Sequence, residues 1–135
     1  MVSLIKMPLA TGADDVASFA VRSSSPSFVP ITIVNGSSLS DQIDFRAQFR
    51  LSGIIVPAGW TAAPLTFLWS PDGNTYYDAY KADGTEYSLT PVAGKLMMMP
   101  VADFIGCRYL QLRSGPGASP VNQGADRSII IVGAG

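Results

Sequence analysis

Hydrophobic and polar residues alternate along much of the chain, most plainly in Ile43-Asp-Phe-Arg-Ala-Gln-Phe-Arg-Leu51. Ile43, Phe45, Ala47, Phe49 and Leu51 fall on one face, and Asp44, Arg46, Gln48 and Arg50 on the other. A period of two sustained over these nine residues predicts one long antiparallel strand, wet on one side; a helix would scatter the same residues around its axis. Shorter runs predict strands at Val16–Arg22 (Ala17, Phe19 and Val21 inward), Phe28–Val34 (Val29, Ile31 and Ile33 inward), Gly53–Val56 and Leu65–Trp69. Further strands are expected at Thr75–Lys81, Glu86–Leu89, Lys95–Met99, Arg108–Leu112 and Ser128–Val132. Clusters of Gly, Pro, Asn, Asp and Ser punctuate them, at Ser23–Ser27, Asn35–Ser38, Pro57–Gly59, Ser70–Asn74, Ala82–Gly84 and Ser114–Ser119. Ten prolines and thirteen glycines discourage helices, and only Val101–Phe104 suggests a single helical turn. The expectation is an all-β fold, an antiparallel sandwich or barrel of nine or ten short strands. Residues 1–15 read as an arm, extended at least in part, and residues 16–135 as one domain.

The faces of individual strands carry more detail. Leu65-Thr-Phe-Leu-Trp69 places Leu65, Phe67 and Trp69 together, and the Ser70-Pro-Asp-Gly-Asn74 turn leads into Tyr76-Tyr-Asp-Ala-Tyr80. Burying Asp78 without a partner costs several kcal/mol, so Tyr77 and Ala79 are expected inward and Tyr76 and Tyr80 outward. Outward tyrosines beside a carboxylate suit stacking on sugar rings, anchoring a protein interface, or plain cross-strand packing. Three runs break the alternation: Leu96-Met-Met-Met99, Ile54-Ile-Val56 and Ile129-Ile-Ile-Val132 are apolar on both faces. Such strands need a second cover, either from loops or the arm of the same chain or from another subunit. Tyr76, Tyr80, Met97, Met99, Ile130 and Val132 are the candidate interface residues.

Composition sharpens this. In 135 residues, 47% are hydrophobic and only 14% charged, against about 25% charged in ordinary domains. Such a sparse charge fits a molecule that lies against other protein, or a monomer with a Ser/Thr-rich surface. Net charge is −1, and the nine basic residues are spread singly, which argues against a nucleic-acid groove or a polybasic membrane face. Cys107 is the single cysteine, so no intramolecular disulfide forms, and its apolar setting predicts a buried filler. The apolar stretch near Met1 is too short and interrupted for a signal sequence, and no segment approaches a membrane span, so a soluble protein of a reducing cytoplasm is expected.

Candidate chemistry is thin. The chain has no histidine, no nucleophile elbow, no P-loop and no dinucleotide fingerprint. Asp72, Asp78, Asp83 and Glu86 gather near the hairpin, a composition open to a glycosidase pair or a calcium site. Yet Asp72-Gly73 and Asp83-Gly84 are turn formers whose side chains bond their own backbone. Ser114–Pro120 reads as a connection rather than a phosphate cradle, since no helix follows it. The expectation is no enzyme, no catalytic residue, no cofactor and no metal.

"GIIVPAGWTAAPLTFLWSPDGNTYYDAY" and "FIGCRYLQLRSGPGASPVNQGADRSIIIV" resemble small proteins encoded among the structural genes of tailed bacteriophages. The resemblance spans about Gly53 to Val132 and rests on Pro57-Ala-Gly-Trp60, Ser70-Pro-Asp-Gly73, and Arg113-Ser-Gly115 leading to Gln123 and Arg127. It implies a capsid decoration, or cement, protein: an oligomeric β-sandwich, a homotrimer by preference, that stabilises the virion by clamping the major capsid protein lattice. Such a protein is made in the host bacterial cytoplasm and ends on the capsid surface. A broader pattern, the Ser70, Asp72, Gly73 turn with Arg108-Tyr-Leu110, resembles galactose-binding-like jelly rolls of the discoidin kind. It implies a jelly-roll-like sandwich, with those positions as scaffold and no sugar-binding residue carried over. The rival expectation is a carbohydrate-binding module on a tail or baseplate, stacking sugars on Tyr76, Tyr80 and Trp60 or Trp69. An enzyme dependent on Asp78 ranks last.

Overall fold

The structure, a computed structural model, describes residues 27–46 and 48–135. The expected strand Val16–Arg22, the arm at 1–15 and the inward position of Ala47 lie outside them. The elements are β1 (Ser27–Ile33), β2 (Ile43–Asp44), β3 (Arg50–Ile55), β4 (Leu65–Ser70), β5 (Tyr77–Asp78), β6 (Ser88–Leu89), β7 (Leu96–Met98), a 3-10 turn at Val101–Phe104, β8 (Tyr109–Ser114) and β9 (Arg127–Ala134). They form two antiparallel sheets, ordered β1-β9-β3-β7 and β2-β8-β4-β5, with β6 also on β4. The protein is an all-β sandwich.

Its winding follows from one hairpin. The Ser70–Asn74 turn joins β4 to β5, and from there the chain runs back along itself: β3 pairs β7, β2 pairs β8 and β1 pairs β9. Four nested antiparallel pairs, alternating between two sheets, are the winding of a jelly roll. The turn is built to last. Ser70 Oγ accepts the Gly73 N–H at 2.8 Å, Asp72 Oδ1 accepts the Asn74 and Thr75 N–H groups at 2.8 and 3.0 Å, and Gly73 takes φ +81°, where a side chain is strained.

Between the sheets, Ile31, Ile33, Leu51, Ile54, Ile129 and Ile131 from one side meet Leu65, Phe67, Leu110 and Leu112 from the other. Phe104 closes one end, edge-on to Phe67 at 5.6 Å. Cys107 is buried there, and burial pushes its thiol up to about 12, which removes the thiolate a reactive cysteine needs.

Val29, expected inward, is 40% exposed, and two larger expectations fail. Ile43–Leu51 is not one strand but a corner between sheets. Asp44 Oδ1 accepts the Arg46 N–H at 2.7 Å, Arg46 adopts φ 57°, and the Phe45 carbonyl accepts N–H groups from Gln48 and Phe49 at 3.1 Å. Phe45 and Leu51 are still buried and Phe49 still packs on the core. The alternation reported the faces correctly while the chain changed sheets beneath it. Tyr77 was expected inside and is 61% exposed. It does share a face with Trp69, its cross-strand partner, but β5 is an edge strand and leaves it largely open.

Candidate functional site

The outer face of the first sheet is apolar from edge to edge. Registers align Phe28, Val132, Gly53 and Met98 in one row across β1, β9, β3 and β7, and Pro30, Ile130, Ile55 and Leu96 in the next. Residues directly opposite across an antiparallel pair share a face, so these eight form one patch. Phe28 is 63% exposed, Leu96 52% and Met98 80%, while Ile55, Ile130 and Val132 are half-buried by their neighbours. Gly53 keeps the middle shallow, since a Cβ there would stand 3.1 Å from Leu96 Cδ1. Thr32 and Ser128 bound the patch at one end and Arg50 at the other. A bulge sets this arrangement. The register shifts between Leu51 and Gly53, Ser52 turns its hydroxyl to the Val132 carbonyl at 3.1 Å, and Ile54 stays inside while Ile55 faces out.

Of the candidate interface residues, Ile130 and Val132 lie in this patch. Met97 does not: it pairs with buried Ile54 and packs against the core. Met99 is 7% exposed and belongs to the core. Sequence reasoning missed Met98, Leu96, Phe28 and Ile55. For Met98, Leu96 and Ile55 the signal was present in the odd and even positions of the greasy runs, but choosing a face required the register.

Tyr76 and Tyr80 go elsewhere. The Tyr76 hydroxyl is hydrogen-bonded to Gln42 Oε1. Tyr80 is 60% exposed and lines a cavity of about 290 Å³ with Trp69, Tyr77, Tyr87, Phe104 and the carboxylates Asp78 and Asp103. The Phe104 ring centre stands 5.8 Å from that of Trp69, tilted, and 5.6 Å from that of Tyr87, edge-on. The Tyr87 hydroxyl donates to Asp103 Oδ2 at 2.8 Å, and burial followed by that carboxylate pushes the phenol up to about 12. Trp69 Nε1 is buried without a hydrogen-bond partner. Among the four aromatic platforms expected of a carbohydrate module, Trp69 and Tyr80 meet in this cavity. Trp60 is 9% exposed with its Nε1 donating to the Ala63 carbonyl at 3.1 Å.

The carboxylates near the hairpin separate into two kinds. Asp72 and Asp83 cap their own turns, Asp83 Oδ1 taking both the N–H and the hydroxyl of Thr85 at 2.9 and 2.6 Å. Asp78 and Glu86 instead converge on Arg113, at 3.1 and 2.9 Å from its two terminal nitrogens, while its Nε donates to buried Thr66 at 3.0 Å. Gly117 donates its N–H to Glu86 Oε2 at 3.0 Å and brings the following loop over the group; a Cβ there would fall 2.8 Å from Asp78 Oδ2. The buried arginine thus ties β4, β8, the hairpin and one loop together. Gln123, 1% exposed, does the same one residue further along β8: its amide engages Thr61 N, Thr61 O, Ser114 Oγ and Arg127 Nε at 2.8, 3.1, 2.8 and 3.1 Å. The residues on which the phage resemblance rests therefore sit in turns and knots of scaffold.

Among the described residues no group of three or more metal-binding side chains converges, and no helix is long and apolar enough to cross a membrane. No protein-family model matches the chain, and no curated protein matches it.

Proposed function

We propose that the protein is a structural assembly component that binds other protein through the outer face of the β1-β9-β3-β7 sheet. The observation that carries this reading is the pair of apolar rows from Phe28 to Met98 and from Pro30 to Leu96. Taken with the phage resemblance, the partner is the major capsid protein lattice of a bacteriophage, and the protein is a capsid decoration protein, working as a homotrimer and residing on the virion surface. Size supports the cooperative character of the role. Four strands at ~4.8 Å spacing and two residue rows make a patch of roughly 250 Å², against ~800 Å² per partner in a standard interface. One such contact is weak by itself. A repeated lattice turns many weak contacts into firm binding by avidity.

The test is co-sedimentation of the purified protein with capsids that lack it. Wild-type protein is expected to pellet with particles at hundreds of copies each. The double variant Leu96→Asp, Met98→Asp, which changes two exposed side chains, is expected to stay in the supernatant with its fold intact. A variant that still pellets, or a wild-type protein recovered in a handful of copies per particle, defeats the reading.

A further inference from the structure

We propose that the cavity beside the hairpin is an aromatic cage for an organic cation, a quaternary or methylated ammonium group. The lining sets the chemistry. Trp69, Tyr77, Tyr80, Tyr87 and Phe104 bring five aromatic rings to the lining, and Asp103 brings a carboxylate that no arginine or lysine pairs with among the described residues. No lysine, arginine, asparagine or glutamine lines it. Among the described residues Asp78 is paired with Arg113, while Asp103 forms no salt bridge and shares a neighbouring cavity with Lys81, so Asp103 is the carboxylate left to answer a cation. A cation gains from the rings and from that charge together. An anion is repelled, and a sugar, whose hydroxyls both donate and accept, meets carboxylates without the amides or guanidinium groups that would answer them.

The cage is held open before any ligand arrives. The Ala79 N–H donates to the Phe67 carbonyl and the Tyr87 N–H to the Ala79 carbonyl, both at 2.9 Å, and Tyr80 bridges to Glu86. These backbone bonds hold the segments that carry Tyr80 and Tyr87 against each other and against β4, while the Tyr87–Asp103 bond at 2.8 Å ties them to the 3-10 turn. Tyr77 and Tyr80 stay 61% and 60% exposed, two large rings kept in water. At about 290 Å³ the space suits a headgroup rather than an extended ligand. The site is separate from the apolar sheet face, and either proposal stands without the other.

The test is calorimetric titration of the full chain with choline, beside its uncharged carbon isostere dimethylbutanol and beside galactose and glucose. Saturable choline binding is expected, with the isostere at least about tenfold weaker. Tyr80→Ala should weaken choline roughly three- to tenfold, and Asp103→Asn should weaken it and flatten its salt dependence, with circular dichroism unchanged in both. Equal binding of choline and the isostere would make the cavity merely greasy and overturn the proposal. So would saturable sugar binding with none for choline, or no choline binding at about ten millimolar.

Discussion

Asp72 shows how much one side chain contributes to this fold. Its carboxylate is held below its ordinary value of 3.8 by the backbone N–H groups of Asn74 and Thr75 and by the Ser70 hydroxyl. Asp83, bonded first by the Thr85 hydroxyl, and Asp44, bonded first by Arg108, shift the same way. A carboxyl that binds its proton less readily in the folded chain than in the unfolded chain contributes stability above 3.8, and that contribution is lost as pH falls through the lowered values. The melting temperature should therefore decline from about pH 5 toward pH 2. Asp72→Asn, whose amide oxygen still accepts both N–H groups, should fold at neutral pH and show a shallower decline. An unchanged slope would remove Asp72 from the account. The residue scale is also where the sequence was most legible: Asp72-Gly73, Asp83-Gly84 and buried Cys107 are local matters, decided by neighbours in the chain or by apolar surroundings.

At the scale of elements, connections decide more than strands do. The loop after β8 returns sharply because Gly115 adopts φ +92°, its N–H donates to the Pro64 carbonyl at 2.7 Å, and the Val121 N–H comes back to Ser114 O at 2.8 Å. A Cβ at Gly115 would lie 2.5 Å from Val121 N, whereas one at Gly84 (φ +86°) meets nothing within 4 Å. Both alanine variants carry the left-handed penalty of about 1–2 kcal/mol. Gly115→Ala should cost about 2 kcal/mol more in denaturant unfolding, because backbone must move to relieve the clash. Equal losses would show that the loop yields freely. Strand positions were legible from alternation at β1 and β4, and from apolar runs bounded by turn residues at β3, β7 and β9. The Phe45–Phe49 corner was not, because a turn that keeps Phe45, Phe49 and Leu51 against one core imitates the period of a strand.

The whole molecule adds what no element holds alone. Four nested pairs around one hairpin bring together rows of side chains far apart in sequence, Phe28 with Val132 and Leu96 with Ile55. If that face is an interface, Ile130→Lys at the centre of the sheet should abolish self-association in solution while the monomer keeps its melting temperature within a few degrees. Sedimentation velocity reads the first and thermal unfolding the second. A wild-type chain that remains monomeric at micromolar concentration would overturn the homotrimer.

The period of two and the turn residues were enough to determine an antiparallel all-β fold of sandwich or barrel type, the core side of Ile31, Ile33, Leu65 and Phe67, and the central hairpin, because each depends on local stereochemistry and on which side chains avoid water. The runs Ile54–Val56, Leu96–Met99 and Ile129–Val132 announced an excess of apolar surface but not its side. Only pairing register, the bulge at Ser52 and the edge position of β5 decided that Met97 and Met99 turn inward, that Met98 joins Phe28 on an open face, and that Tyr77 and Tyr80 frame a cavity. Those are long-range choices, set where distant strands meet, and a linear pattern with period two carries no record of which neighbour each strand will find.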